Sequence, residues 1–411
     1  MNVRFGPAGL PLSCKGRTLV DGLEDIYRLE LNTMEIQLVR GIGQDIDRAD
    51  EVKDLADKLD IELYVHAPYY MDLAGDDEEV KRSLENIKWA GQVASEIGAV
   101  CVNTHLGLYG RKSKKATLER VIKNVRTLRD WFKKNKIKVK IGLETSGKQK
   151  VFGTLEEVLE VCRRVSDTMP IINFAHIHAR GGGALKKKED FQEIFDKVKK
   201  ITKTSKFITN FSGVEHEEGN KKRITPIKKG DMRFEPLGEC ILDNEDYDIS
   251  IISSSPLLEH DAMYMKVIFE RLTQKRAQKE ARAAMKEEEK KIKETKKKKE
   301  VKKKEAKKKE AKKKDTKKKD AKKKDTKKKD TKKKDTKKKD AKKKDTKKKD
   351  TKKKDTKKKD TKKKDTKKKD TKKKDTKKKD TRSKSSAKGK KGGSSKKDTK
   401  KGKTAKGKKK K

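Results

Sequence analysis

Short runs of aliphatic and β-branched residues alternate along the first two-thirds of the chain with longer stretches whose apolar positions recur at helical spacing. The runs predict strands at Val3–Phe5, Met34–Val39, Glu62–His66, Val100–His105, Val139–Glu144, Ile171–His176, Phe207–Phe211 and Asp248–Ile252. Between them, Asp50–Leu59, Glu78–Ile97, Thr117–Lys134, Thr154–Val165 and Lys188–Lys203 carry one apolar stripe each and predict amphipathic helices. Strand and helix alternating in this way imply βα units around a parallel sheet. Eight such strands in roughly 260 residues match the size of a closed (β/α)₈ (TIM) barrel, the expected fold class for residues 1–272. The alternative, a doubly wound open sheet, would place a glycine-rich phosphate turn after its first strand, and none is present.

A last helix is predicted from Glu259, with an apolar stripe that fades after Leu272 and a charged extension over 273–300. From Val301 to Asp380 the chain repeats a five-residue unit, mostly Thr-Lys-Lys-Lys-Asp. That period fits neither the 3.6 of a helix nor the 2 of a strand, so no face can be buried, and a disordered tail is expected over 301–411. The tail changes how the composition reads. It carries 63 Lys and Arg against 17 Asp and Glu, whereas residues 1–300 carry 57 against 50, so it supplies nearly all of the formal charge of +53. Dense lysine releases counterions from a nucleic-acid backbone on binding, which predicts salt-sensitive, sequence-independent affinity for DNA. Lysine lacks the planar fork with which arginine reads guanine, so no base specificity is expected. A solvating segment is the plainer alternative.

Cys14, Cys101, Cys162 and Cys240 lie far apart with no CxxC pair, which argues against a zinc ribbon or a disulfide framework and suits a reducing cytoplasm. No apolar run reaches the roughly 18 residues of a membrane span, and the N-terminus has no signal-peptide pattern. A soluble, cytoplasmic, nucleoid-associated monomer that avoids membrane is the expectation.

Histidine is scarce, at six, so its positions inform. His66 ends the third predicted strand, His105 the fourth, Glu144 the fifth, and His176 and His178 the sixth. In a barrel all these ends open on the same C-terminal mouth. Two imidazoles and a carboxylate from successive strands make an open ligand set for zinc. Histidines that merely cap hydrogen bonds are the ordinary alternative.

The segments Phe5-Gly6-Pro7-Ala8-Gly9, His66-Ala67-Pro68-Tyr69, His105-x-Gly107, Leu143-Glu144-Thr145 and Phe174-Ala175-His176-Ile177-His178-Ala179-Arg180 resemble the archaeal branch of endonuclease IV, within the xylose-isomerase-like TIM barrels. The likeness spans residues 1 to about 272. It implies phosphodiester cleavage beside abasic sites in DNA, performed in that family with three zinc ions. Carried over, His66, His105 and Glu144 would hold the first metal, Glu144 would also be catalytic and bridge to a second, and His176 would serve the third. The chain departs from the pattern elsewhere. Asn173 stands for an aspartate, Asn210 and Ile224 for histidines, and Ser254 for a carboxylate. Neutral amide and hydroxyl oxygens are poor zinc ligands, so one Zn²⁺ is expected rather than a trinuclear cluster, with His178 or His216 as conceivable substitutes. Tyr69 and Tyr70 are placed to stack on a sugar or base, and Arg180 to pair with a phosphate. The leading expectation is therefore an endonuclease IV-like DNA-repair hydrolase. A catalytically degenerate nucleic-acid-binding barrel, or a sugar-isomerase-like enzyme, are the alternatives.

Overall fold

The computed structural model describes residues 1–39 and 48–332. The predicted strands are β1 (Asn2–Pro7), β2 (Thr33–Gln37), β3 (Glu62–His66), β4 (Cys101–Thr104), β5 (Lys140–Glu144), β6 (Thr168–Asn173), β7 (Lys206–Phe211) and β10 (Asp248–Ser253). They form one eight-stranded parallel sheet in the order β1-β10-β7-β6-β5-β4-β3-β2. The two outer strands meet: Ala8 pairs in parallel with Glu35, and Asn32 N–H donates to the Phe5 carbonyl at 3.1 Å. The sheet thus closes into the expected TIM barrel.

Around it run α1 (Leu19–Arg28), α2 (Ala49–Leu59), α3 (Asp77–Glu96), α4 (Lys114–Lys134), α5 (Leu155–Arg164), α6 (Phe174–Arg180), α7 (Lys188–Thr202), α8 (Glu235–Leu242) and α9 (Glu259–Lys332). Capping boxes set several starts. Thr18, Asp76 and Thr154 accept from N3 amides while Asp21, Glu79 and Glu157 reach back. The helices bury Leu23, Ile26, Ile87, Val125, Leu128, Phe191 and Phe195 against the outer face of the barrel, at about 1.5–3 kcal/mol for each large side chain. The end of the barrel opposite the mouth is closed by polar contacts. Lys206 pairs with Glu62 at 2.6 Å, Arg4 with Asp248 at 2.7 Å, and the buried Tyr64 hydroxyl meets Ser250 at 2.9 Å.

Three expectations need correction. The sixth strand stops at Asn173, whose side chain accepts the His176 amide at 3.1 Å and starts α6, so His176 and His178 sit on a short helix and not on a strand. An antiparallel hairpin, β8 (Gly213–Glu217) and β9 (Asn220–Thr225), lies between β7 and α8 where no element was predicted. Finally, the repeat is not unstructured from position 301, because α9 continues to Lys332. Each acidic residue of the repeat, like Glu300 just before it, has a lysine four positions on, as in the pairs Glu300–Lys304 and Glu310–Lys314, and the early units contain the strong helix former alanine. A helix that is polar all round is sustained by such pairs, not by a buried face. Residues 333–411, over which a disordered tail was expected, lie outside the described residues.

By contacts the chain divides into two units, Met1–Thr316 and Lys317–Lys411. In the first, α9 packs Ala262, Met265, Ile268 and Phe269 onto the barrel before its apolar stripe ends. In the second, residues 317–332 are helical. No described helix is long and apolar enough to cross a membrane.

Barrel closure rests on close backbone approach at Gly6, where a Cβ would collide with the Thr33 carbonyl. Gly6→Ala should therefore lower the unfolding free energy by about 3 kcal/mol, read from the urea midpoint. An unchanged midpoint would mean that β1 and β2 are not held together there.

Candidate metal centre

Parallel register brings the ends of β3, β4 and β5 to one rim of the barrel. His66 is the last residue of β3, His105 follows β4 directly, and Glu144 ends β5. The predicted convergence is seen in the side chains. Glu144 Oε2 lies 3.2 Å from His66 Nε2 and 3.0 Å from His105 Nδ1, and the two rings meet edge to face at 5.2 Å. One ligand atom from each of the three falls within 4.8 Å of the others. Glu144 and His66 are buried and His105 is partly open to the mouth.

The ring environment of His66 suits a metal ligand. Its Nδ1 meets the Ala67 carbonyl at 2.5 Å, which fixes a proton on Nδ1 and leaves Nε2 facing Glu144. Burial opposes a charged His66, but the Glu144 hydrogen bond and the charges of Glu35 and Glu144 outweigh it and raise the imidazole to about 9. Burial also opposes a charged Glu144, and the His105 charge with hydrogen bonds from His105 and His66 overcomes it, holding the carboxyl well below its ordinary range. Asn173 Nδ2 donates to Glu144 Oε1 at 2.8 Å and fixes the other oxygen. A divalent cation fits this set. His66, His105 and Glu144 would hold it, and it would displace the proton between His66 and Glu144.

His176 is close but differently engaged. Its Nδ1 donates to the Thr145 carbonyl at 2.7 Å and lies 3.6 Å from Glu144 Oε1, and its Nε2 accepts from Lys221 Nζ at 2.8 Å. Burial first, then the Lys221 charge, pushes His176 down to about 3. The lone pair expected to serve a metal here accepts from an ammonium group, so in this structure His176 is an acceptor for Lys221.

His178 and His216 do not substitute. They gather with Asp231 in a separate group, at 3.1 and 3.4 Å from its carboxylate. His178 Nδ1 accepts the Leu185 amide at 3.0 Å, so its proton sits on Nε2 and points at Asp231. A ligand imidazole needs the reverse arrangement, with its far nitrogen donating. This trio is a hydrogen-bonded brace.

The other half of the rim is neutral. Asn210 Oδ1, Ser253 Oγ and Ser254 Oγ are buried and find no partner among the described residues. Arg180 is turned inward: Nη1 donates to the carbonyls of Lys148 (2.7 Å) and Val151 (2.8 Å), and Nη2 faces the Tyr109 hydroxyl at 3.3 Å. Its guanidinium clamps the loop after β5, which corrects the expected phosphate contact. Tyr69 and Tyr70 are exposed, packed edge to face at 5.6 Å, and line a cleft of about 360 Å³ with His105, Lys148, His176 and Lys221. Sequence reasoning missed two charges. Glu35 is buried on β2, bonded by Asn103 (3.2 Å) and Gln37 (2.6 Å), with its carboxyl raised by burial. A glutamate inside the apolar run Thr33–Gln37 was the available signal. Lys221 gave none, standing in the basic run Lys221-Lys222-Arg223.

The sequence profile of the xylose isomerase-like TIM barrels matches residues 23–253. The chain belongs to that family. An uncharacterised protein of Methanocaldococcus jannaschii is 28% identical over 274 residues, which cover 65% of this chain and 97% of that one. Among solved structures, the xylose isomerase-like barrel is similar to a D-tagatose 3-epimerase-like protein (TM-score 0.52, 20% identity, covering 68% of this chain and 99% of that one). It is equally similar to endonuclease IV from Thermus thermophilus (TM-score 0.52, 16% identity, 66% and 99%). At such identities these likenesses speak to the fold, and the site has to be read from this chain's own residues.

If the triad is the metal site of this xylose isomerase-like barrel, His66→Ala and His105→Ala should each weaken zinc binding at least about tenfold. His216→Ala should leave it unchanged. Equilibrium dialysis with elemental analysis reads both; zinc that follows His216 instead would reject the assignment.

Proposed function

We propose that the protein is a metal-dependent hydrolase of phosphodiesters, related in chemistry to endonuclease IV and directed at abasic sites in DNA. The observation that carries this reading is the convergence of His66, His105 and Glu144, with His66 fixed in a ligand tautomer by the Ala67 carbonyl. A zinc ion bound there would polarise a phosphoryl oxygen and lower the pKa of water. The chain's own residues do the rest. Glu144, held by Asn173, keeps a fixed negative charge at the base of the mouth. Tyr69 and Tyr70 offer stacking faces at the rim for a sugar or base. The charged part of α9 and the lysine repeat add affinity for the nucleic-acid backbone.

A second reading has specific support. The neutral late half of the rim, with Asn210, Ser253 and Ser254 unpartnered among the described residues, favours a degenerate barrel that binds nucleic acid without cutting it. A sugar-isomerase-like reaction is disfavoured by the same residues, because it calls for carboxylates on the late strands.

An abasic-site duplex nicking assay separates these readings. The zinc-loaded full chain should nick the duplex, and Glu144→Gln should slow it by at least about a hundredfold. Binding without nicking by the zinc-loaded wild type would transfer the case to the degenerate reading. Removal of residues 301–411 should weaken duplex binding and flatten its dependence on salt. Equal affinity and slope in the shortened chain would refute the role given to the repeat.

A further inference from the structure

Lys221 differs from its neighbours. Lys222 pairs with Glu217 at 2.7 Å and Arg223 with Glu215, both on the hairpin's exposed side. Lys221 turns the other way, half-buried, with its backbone amide on the Gly147 carbonyl at 2.7 Å and its Nζ on His176 Nε2 at 2.8 Å. Gln149 ties the hairpin in place on the same side: its backbone amide donates to Asn220 Oδ1 at 2.8 Å and its side chain to the Gly219 carbonyl at 3.1 Å. No carboxylate among the described residues pairs with Lys221. Glu144, whose charge acts on Lys221, is already engaged by His66, His105 and Asn173, and the two carboxylates that line the cleft, Asp72 and Glu79, accept from the backbone amides of Ala74 and Asp76.

An ammonium has three donors, and His176 accepts one. Two remain for the cleft, which Lys148 also lines. A partly desolvated cation without a counter-charge is costly unless a ligand supplies one. The space before it is bounded by His105 of the triad and by the exposed rings of Tyr69 and Tyr70.

We propose that Lys221 Nζ, seated on His176 and accompanied by Lys148, forms an anion subsite that takes a phosphoryl oxygen beside the His66–His105–Glu144 triad. The lysine thereby supplies positive charge beside the triad, which the neutral Asn210, Ser253 and Ser254 do not. The identity of the group as part of a substrate rests on the hydrolase reading above; the subsite itself does not. The ligand class is a phosphate ester, either the diester of a nucleic acid or the monoester of a phosphorylated sugar, since both present charged oxygens to lysine.

Acetylation footprinting of the full chain, read peptide by peptide in a mass spectrometer, tests this directly. Inorganic phosphate should protect Lys221 and leave Lys222 reactive, and equal modification of Lys221 with and without phosphate overturns the subsite. In calorimetric titrations at one fixed ionic strength, the lysine repeat gives the same background in every variant. Lys221→Met should weaken the phosphate component about tenfold, while Lys221→Arg stays within about threefold; an unchanged Lys221→Met also overturns the proposal. Two esters then separate the sources. Protection of Lys221 by the dinucleotide thymidylyl-thymidine supports the subsite and the nuclease reading together. Protection by ribose 5-phosphate but not by the dinucleotide upholds the subsite and sinks the nuclease reading.

Discussion

A single buried carboxylate organises the mouth of this barrel. Glu144 sits within 3.2 Å of two imidazoles and an amide donor, at a depth where an unpaired charge would be prohibitive. It can remain ionised only because three different strands deliver His66, His105 and Asn173 to the same point. That delivery is a property of parallel strands closed into a barrel, all of whose ends face one way. Closure at Gly6 and Thr33, the capped helices outside and the ion pairs at the far end matter functionally because they keep those strand ends in register.

The rim is chemically lopsided. On the side of β3, β4 and β5 it presents imidazole and carboxylate, and on the side of β6, β7 and β10 it presents amides and hydroxyls. Between the two sides stands Lys221, carried by a hairpin that also touches the loop after β5. Cation and imidazole exclude each other's charge here. Burial lowers both Lys221 and His176, and the Lys221 charge adds to the lowering of His176. A neutral His176 holding an ammonium is a different device from a histidine holding zinc, although the residue type at that position is the same.

The strands of the barrel were legible because each is a short apolar run bounded by polar turns, a signal that local sequence carries in full. The triad was legible for the same reason: its members end such runs. What failed depended on contacts that sequence spacing does not encode. Asn173 ends β6 early by capping α6, and its own residue type gives a cap or a strand end with equal ease. His178 was a conceivable substitute ligand in the sequence, which does not encode the Leu185 amide at its Nδ1 or Asp231 at its Nε2. Arg180 looked like a phosphate contact until the carbonyls of the β5 loop were seen to occupy its fork. The helix through 301–332 was missed because a buried face was sought, whereas acid–lysine pairs four residues apart sustain it in solvent.

X-ray absorption at the zinc edge of the zinc-loaded full chain goes to the centre of this account. Two imidazole nitrogens at about 2.0–2.1 Å with oxygen completing the shell are predicted, with the imidazole signal reduced in His66→Ala. A shell without imidazole, or one indifferent to His66, would contradict it.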